Sequence, residues 1–555
     1  MLTMINQVSL ISLVSSYRLR SDIGYQIDTN GSKVYVDIGP DETKRLIPNN
    51  FVPKIDFSIN NISIKNLAGS LSGGGMFLNN VGWDIPSLVL NNSTFSNCSS
   101  SQMGGAIYNK DILYLTINNS SFHNNWATSG GGAIYIQNCV NAKIMNSQLT
   151  NNNSTSNEGS TCYIQNSTIV DFDNLTIDRS TSRYGALYLI QIGTFLMNNT
   201  RISNCIGYDG EILYLQNTKN FSITKCLFEN SSSTSSYGSM YISSINQGGI
   251  IENCVFSILS GPNGGAIFLT SIPDVQINRC LFFLCTVSGS GGAIYSSGTT
   301  RFSIRQCCFH LCRASSNYHS IYVAPLNSLS ITNSNFSSFV GCGTINQGSE
   351  NFYISSGTSD VTMNNFSNNH AASRSCICIN SYGLSFLQYS TIFNHSTSSN
   401  PVFQLTAYNH PIVVQYNNMI RNTATSSFIF QFSVSSTSSH VFNCIFSLNS
   451  GSYLFSCTGG STLVGNCYLN HSSPLFTGTI SFQNTIMGAT ETYHHKHLST
   501  YGCEANIDYQ ELNEPCQTQP NPPTSCIYQS EVQSSTLSQF TSILQLVLVS
   551  FISYE

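Results

Sequence analysis

Five letters, Gly-Gly-Ala-Ile-Tyr, stand at Gly104–Tyr108, Gly131–Tyr135 and Gly291–Tyr295. A fixed repeat of this kind decides the fold class before composition or propensity is weighed. Imperfect copies end at Tyr163, Tyr188, Tyr214, Tyr241, Phe268 and Tyr322, so the aromatic marks from Tyr108 to Tyr322 lie 25 to 28 residues apart. Weaker marks extend the series upstream to Phe77 and downstream through Tyr353, Cys378, Phe403, Phe430, Phe455 and Phe476, sixteen in all.

A second series of apolar residues runs between the marks. It includes Ile64, Phe95, Phe122, Leu149, Ile177, Ile202, Phe228, Phe256, Phe282, Phe309, Phe336, Phe366, Phe393, Ile420, Phe446 and Leu469. From each mark to the next member of this series the distance is 14 residues in most coils and 13 to 18 in all. The return distance is 12 to 14 in most early coils, 17 from Phe336 to Tyr353, and 10, 10, 9 and 7 at the end. A constant arc implies core register, and a variable arc implies exposed loops, where binding groups are usually mounted. The longest return arc, Ser337–Phe352, therefore supplies the candidate ligand-facing residues Cys342, Asn346, Gln347 and Glu350.

Within the constant arc, "LYLTINNSSF" from Leu113 and "VQINRCLF" from Val275 alternate apolar and polar residues, which is strand periodicity. No stretch keeps a capped 3.6-residue stripe. A period near 27 built of strands and turns predicts a right-handed parallel β-helix of about sixteen coils, spanning residues 57–480. On this reading the structural repeat residues are Gly104, Gly105 and Ala106, Gly131, Gly132 and Ala133, Gly264, Gly265 and Ala266, and Gly291, Gly292 and Ala293. Their glycines allow positive φ at a corner, and the alanines fit a tight interior bend. The rival is a leucine-rich horseshoe of similar repeat length, whose leucine spacing this chain lacks.

The "GGAI" element, together with Phe-x-x-Asn at Phe122–Asn125 and Phe366–Asn369, resembles the paired repeat of chlamydial polymorphic outer-membrane proteins. It is closer still to the similar repeat proteins of trichomonad protozoa. The resemblance implies a β-helix displayed at a cell surface for adhesion, with a host or matrix protein or glycan as partner. The chain departs from the bacterial members in having only 75 residues after position 480, too few for the translocator barrel those members carry.

Only 8% of residues are charged and the formal net charge is −5. No basic stripe exists to attract phosphates, so nucleic acid is not an expected partner. Asn-x-Ser/Thr sequons begin at Asn30, Asn61, Asn92, Asn119, Asn153, Asn166, Asn174, Asn220, Asn230, Asn335, Asn365, Asn394 and Asn470. They mark glycan acceptors on a secretory route, and Asn-rich turns also generate such triplets by composition alone.

The 20 cysteines follow the repeat. Cys226, Cys254, Cys280, Cys307, Cys444 and Cys467 stand two residues before a ladder residue, and Cys98, Cys205, Cys285 and Cys312 three after one. Stacked neighbours such as Cys280 and Cys307 come within disulfide range, and packing as small apolar groups is the favoured reading.

Residues 1–16 form a weak candidate signal segment without a basic start, and residues 17–56 an N-terminal cap. Residues 481–535 read as an irregular segment containing Cys and Pro, and 536–555 as an apolar tail, a candidate membrane anchor shorter than a typical span. Two constellations bear on chemistry. Asp171, Asp173 and Asp178, all from one coil, are the best local carboxylate cluster for a carbohydrate-active β-helix enzyme, and neighbouring coils add only the isolated Asp209 and Glu211. His494, His495 and His497 are metal-ligand types without an evident fourth ligand, and read as a solvated loop. The expectation is a non-catalytic surface or secreted adhesion protein without a cofactor. The alternatives are a secreted polysaccharide lyase or hydrolase, or a passive coat or stalk component.

Overall fold

The computed structural model describes residues 25–28, 56–66, 68–69, 72–79, 493–495, 510–512, and 87–488 apart from 156–158, 236, 426 and 471–474. The candidate signal segment, nearly all of the N-terminal cap, most of the 481–535 segment and the whole apolar tail lie outside the described residues. The described residues form strands and turns without a helix, stacked in parallel as a β-solenoid of about 14 turns with a period near 27 residues. Nothing among them supplies the helical or 3₁₀ side of a leucine-rich horseshoe. The sixteen marks compare with about 14 turns, and the mark column ends at the two-residue strand Phe476–Thr477.

One coil shows how the sequence makes the shape. Strands Ile134–Gln137, Asn141–Met145, Gln148–Thr150 and Asn153–Ser154 follow one another. Their corners are single left-handed residues, Asn138, Asn146 and Asn151, with φ of 58°, 50° and 56°. Asparagine tolerates this region better than other residues with a Cβ, which accounts for its abundance. Each strand then pairs with its counterpart one coil on, Tyr135 with Tyr163, Ile144 with Phe172 and Leu149 with Ile177. Alternation turns Ile134, Ile136, Ala142, Ile144 and Leu149 inward, where all are fully buried.

The two glycines of the repeat do different work. Gly104, Gly131, Gly264 and Gly291 take φ of 67°, 60°, 59° and 71°. Gly105, Gly132, Gly265 and Gly292 do not; a Cβ on each would stand 2.0–2.3 Å from a carbonyl oxygen of the next coil. Positive φ thus belongs to the first glycine alone, and the second is required by close coil-to-coil approach. Ala106, Ala133, Ala266 and Ala293 are fully buried behind them.

The interior apolar series stacks ring on ring. Phe95 and Phe122 lie 5.1 Å apart, and Phe228, Phe256, Phe282 and Phe309 continue at 5.0, 4.8 and 4.6 Å. From there Phe309 stacks on Phe339 and Phe339 on Phe366, both at 4.7 Å. Burial of each ring contributes about 1.5–3 kcal/mol, against about 0.5–1.5 for the ring contact itself, so the ladder is held mainly by exclusion of water.

This register corrects several sequence assignments. The rung after Phe309 is Phe339, not Phe336, which sits at a corner with φ of 53°. The next rungs are Ile392 and Met419, not Phe393 and Ile420. The outer marks also shift, because Cys378 pairs with Gln404 and Gln404 with Gln431, placing Phe403, Phe430 and Phe455 on the interior side, buried. In the coil after Tyr322 the added residues lie before the rung, in the turn around Leu326–Ser330, where Leu329 is 85% exposed. From Phe339 back to Tyr353 the arc has its ordinary length.

Candidate functional site

Two ladders of small polar groups line the inside of the corners, and they explain both Phe-x-x-Asn and the cysteines. At one corner Ser93 N donates to Ser120 Oγ and Ser120 N to Ser147 Oγ, at 3.1 and 3.0 Å. Cysteine fills the same place higher up, where Cys226 N meets Cys254 Sγ at 3.5 Å and Cys307 N donates to Ser337 Oγ at 3.2 Å. At the other corner Asn125 Oδ1 accepts from Cys98 N at 3.0 Å while its Nδ2 donates to Phe95 O at 3.1 Å. Asn369 does the same for Cys342 N and Phe339 O. The fourth-place residue thus satisfies backbone that a closed coil would orphan. Among the described residues sixteen cysteines are free and buried, and burial raises the Cys205 thiol to about 12 and the Cys139 thiol to about 11. The thiols pack as small groups in the interior, several of them donating to backbone carbonyls. Cys308, on the outer side of its strand, is disulfide-bonded.

The carboxylates proposed for catalysis are occupied. Asp171 pairs with Lys143 at 3.1 Å, and Asp173 accepts from Asn198 Nδ2 at 2.8 Å. Asp178 lies in the other sheet, on strand Thr176–Asp178, where Asn204, Ser203 and Arg179 hold its pKa below the ordinary value against the opposing effect of burial. The structure does not bring these three together around one space. His495 is held on the solenoid flank, its Nε2 2.7 Å from Asn443 O. His497 lies outside the described residues.

The return-arc candidates divide. Cys342 and Glu350 are buried, Glu350 against the Arg374 guanidinium. Asn346 and Gln347 are exposed. Their loop is pinned from beneath by buried His319, whose Nε2 lies 3.0 Å from Gln347 O and whose Nδ1 accepts from Ala314 N at 3.1 Å.

A group unnoticed in the sequence stands out instead in the corresponding arc of earlier coils, just before the repeat mark. The mark residues Phe77, Tyr108, Tyr135, Tyr163, Tyr188, Tyr214 and Tyr241 form an outer stack at 4.7–5.1 Å spacing. Ring faces in such a stack are consumed by the neighbouring rings. Tyr184, packed against Tyr188 and Tyr214, leads out of it. The Arg183 guanidinium lies 5.4 Å from the ring centroids of both Tyr184 and Tyr208. Tyr208 is 47% exposed and its neighbour Ile206 56%.

Beneath this patch lies Glu211, 1% exposed, with neither carboxyl oxygen hydrogen-bonded. A Cβ on Gly207 would stand 2.8 Å from Glu211 Cβ, so a glycine makes room for the acid under the Ile206–Asp209 strand. Ser239 Oγ, beside it, donates to Gly265 O at 2.9 Å. Burial pushes the Glu211 carboxyl up to about 8, so it is mostly protonated at neutral pH. The visible signal for the patch was the first tyrosine in "YGALY", Tyr184, four residues before the mark. Arg183 and Tyr208 are 25 positions apart and meet only through coil stacking. No family model matches the chain, and neither a curated protein nor a solved structure matches it.

Proposed function

We propose that the chain is a non-catalytic, cell-surface or secreted repeat protein that holds a host or matrix glycan or protein against its wall, with the Arg183–Tyr208 patch as the contact. The observation that carries this reading is a guanidinium shared by two tyrosine rings, one of them half exposed, on the stacked strands Thr181–Tyr184 and Ile206–Asp209. Exposed aromatic surface beside a cation suits the apolar face of a sugar ring together with its hydroxyl or carboxylate groups. The bonded state of Cys308 fits an oxidising compartment. The GGAI and Phe-x-x-Asn resemblance points the same way.

A second reading, a carbohydrate-active enzyme, draws on Glu211, since a carboxyl kept protonated near neutral pH is a potential general acid. Its enclosure favours the first. Binding to a glycan array and to matrix proteins, run beside turnover assays on acidic polysaccharides, separates them. Binding without turnover, weakened about tenfold or more by Tyr208→Ala, supports adhesion. Turnover abolished by Glu211→Gln supports the enzyme. A protein that neither binds nor turns over leaves the coat or stalk role.

A further inference from the structure

One connection is longer than those of the coils stacked on it. From the mark strand to the next strand, Phe268 to Asp274 and Tyr295 to Arg301 each take six residues and Tyr353 to Thr358 takes five, whereas Tyr322 to Ile331 takes nine. The added residues stand proud of both neighbouring coils. Their turn has a fixed frame. Leu326 N donates to Thr299 O and Ile331 N to Thr300 O, both at 2.8 Å, which ties the two ends to the preceding coil. Within it Leu329 N donates to Asn327 Oδ1 at 2.9 Å and Asn327 N to Ser330 Oγ at 3.2 Å. The frame holds Leu326 60%, Leu329 85% and Ile331 38% exposed. Adjacent apolar groups held out together mark an interaction surface, unlike single exposed residues scattered over a wall.

Beside this convex tip the wall is hollow. A cavity of about 400 Å³ is lined by Pro273, Asp274, Thr300, Arg301, Leu329 and Ile331, so two side chains of the tip form one of its walls. The other side carries one charge of each sign. Arg301 Nη1 lies 3.1 Å from Asp274 Oδ2, and the arginine side chain is more than half exposed.

We propose that this edge of the solenoid pairs with the same edge of a second copy of the chain, Leu329 of each copy seated in the cavity of the other. Three features select a second copy as the occupant. Knob and hollow adjoin on one face, the self-complementary arrangement that a two-fold axis closes. The same rotation turns the Arg301–Asp274 pair of one copy end for end against that of the other, so cation faces anion across the axis. And because the turn projects beyond the coils on either side, two solenoids lying side by side touch here first. A lipid surface would take up the leucines and leave the hollow and the charge pair unused; a small ligand in the hollow would leave Leu326 in water. Two leucines, an isoleucine and the cavity rim cover less than the roughly 1,200 Å² at which standard interfaces begin, so the pairing is reversible.

The test is sedimentation equilibrium of the full-length protein across the micromolar range. The expected result is a reversible monomer–dimer equilibrium whose dissociation constant Leu329→Ser raises about tenfold or more. Melting of the dilute variant should match the wild type, since the side chain stands in water. A wild-type protein that stays monomeric, or a Leu329→Ser variant that pairs as tightly as wild type, overturns the proposal. The charges give a second measurement. Asp274→Arg leaves two cations in the site and Arg301→Asp two anions, so each variant alone should stay monomeric and an equimolar mixture should pair. A mixture that pairs no better than its components contradicts the two-fold arrangement. Vesicles of phosphatidylcholine supply the competing arm: protein retained by them, released by Leu329→Ser and monomeric throughout, would assign the turn to a lipid surface and overturn the pairing.

Discussion

A Cβ placed on Gly132 would stand 2.2 Å from the carbonyl oxygen of Ser160, one coil away. No rotamer relieves such a contact, because backbone meets backbone. Gly132→Ala should therefore cost about 1–3 kcal/mol, the range of overpacked sites, and Gly132→Val more. Thermal melting of the two variants checks this, and unchanged melting would refute the close-approach account of the second glycine.

Asn109 occupies an interior rung between Leu78 and Ile136. It is fully buried, and neither its amide nitrogen nor its oxygen has a hydrogen-bond partner. Replacing it by Leu restores the apolar column and removes two stranded polar atoms, so Asn109→Leu should raise stability by about 1–3 kcal/mol. Denaturant titration of the variant reads the sign directly.

Three buried titratable groups set a pH profile. Burial raises the Glu211 carboxyl from 4.5 to about 8, so between those values unfolding releases a proton and stability falls as pH rises. Burial lowers His319 and His395 from 6.5 to about 4, so between those values unfolding takes up protons and stability falls as pH drops. From these groups the melting temperature should peak near pH 6.5 and decline toward pH 8, by about 1.4 kcal/mol per unit for a single proton. Glu211→Gln should flatten the alkaline decline and steepen the acid limb, which Glu211 opposes between 4.5 and 6.5.

The period, the parallel stacking and the interior place of Phe95, Phe122, Phe228, Phe256, Phe282, Phe309 and Phe366 were legible because each repeats at one spacing and all are fully buried. Register was lost where two aromatics stand near each other. Phe336 and Phe339 both suit an apolar rung, and only the inserted turn before them decides between the two. Phe403 took the place of an outer mark because Gln404, which holds it, is not aromatic. The patch was hidden for a different reason: Arg183 and Tyr208 lie on neighbouring coils, and no local pattern joins them. Serine, cysteine and asparagine exchange freely in the corner ladders because each presents an acceptor to the same backbone N–H, which is why the cysteines look scattered and yet keep the repeat.

The sequons divide by geometry. Asn92, Asn119, Asn166, Asn174, Asn230 and Asn394 are exposed corner residues with φ of 47–55°. Asn365 is fully buried on its strand. On expression through a eukaryotic secretory route, glycopeptide mapping of the folded protein should find glycan only among exposed acceptors. Substantial occupancy at Asn365 would contradict the register there.

Every conclusion above depends on coils stacking in parallel at one strand spacing per repeat. Thr116, Ser222 and Ser303 share one outward column, with four rungs from the first to the second and seven from the first to the third. Spin labels at residues 116 and 222, and at 116 and 303, should report narrow distances of about 19 Å and about 34 Å by pulsed electron resonance. Broad distributions, or a second distance no longer than the first, would contradict the solenoid.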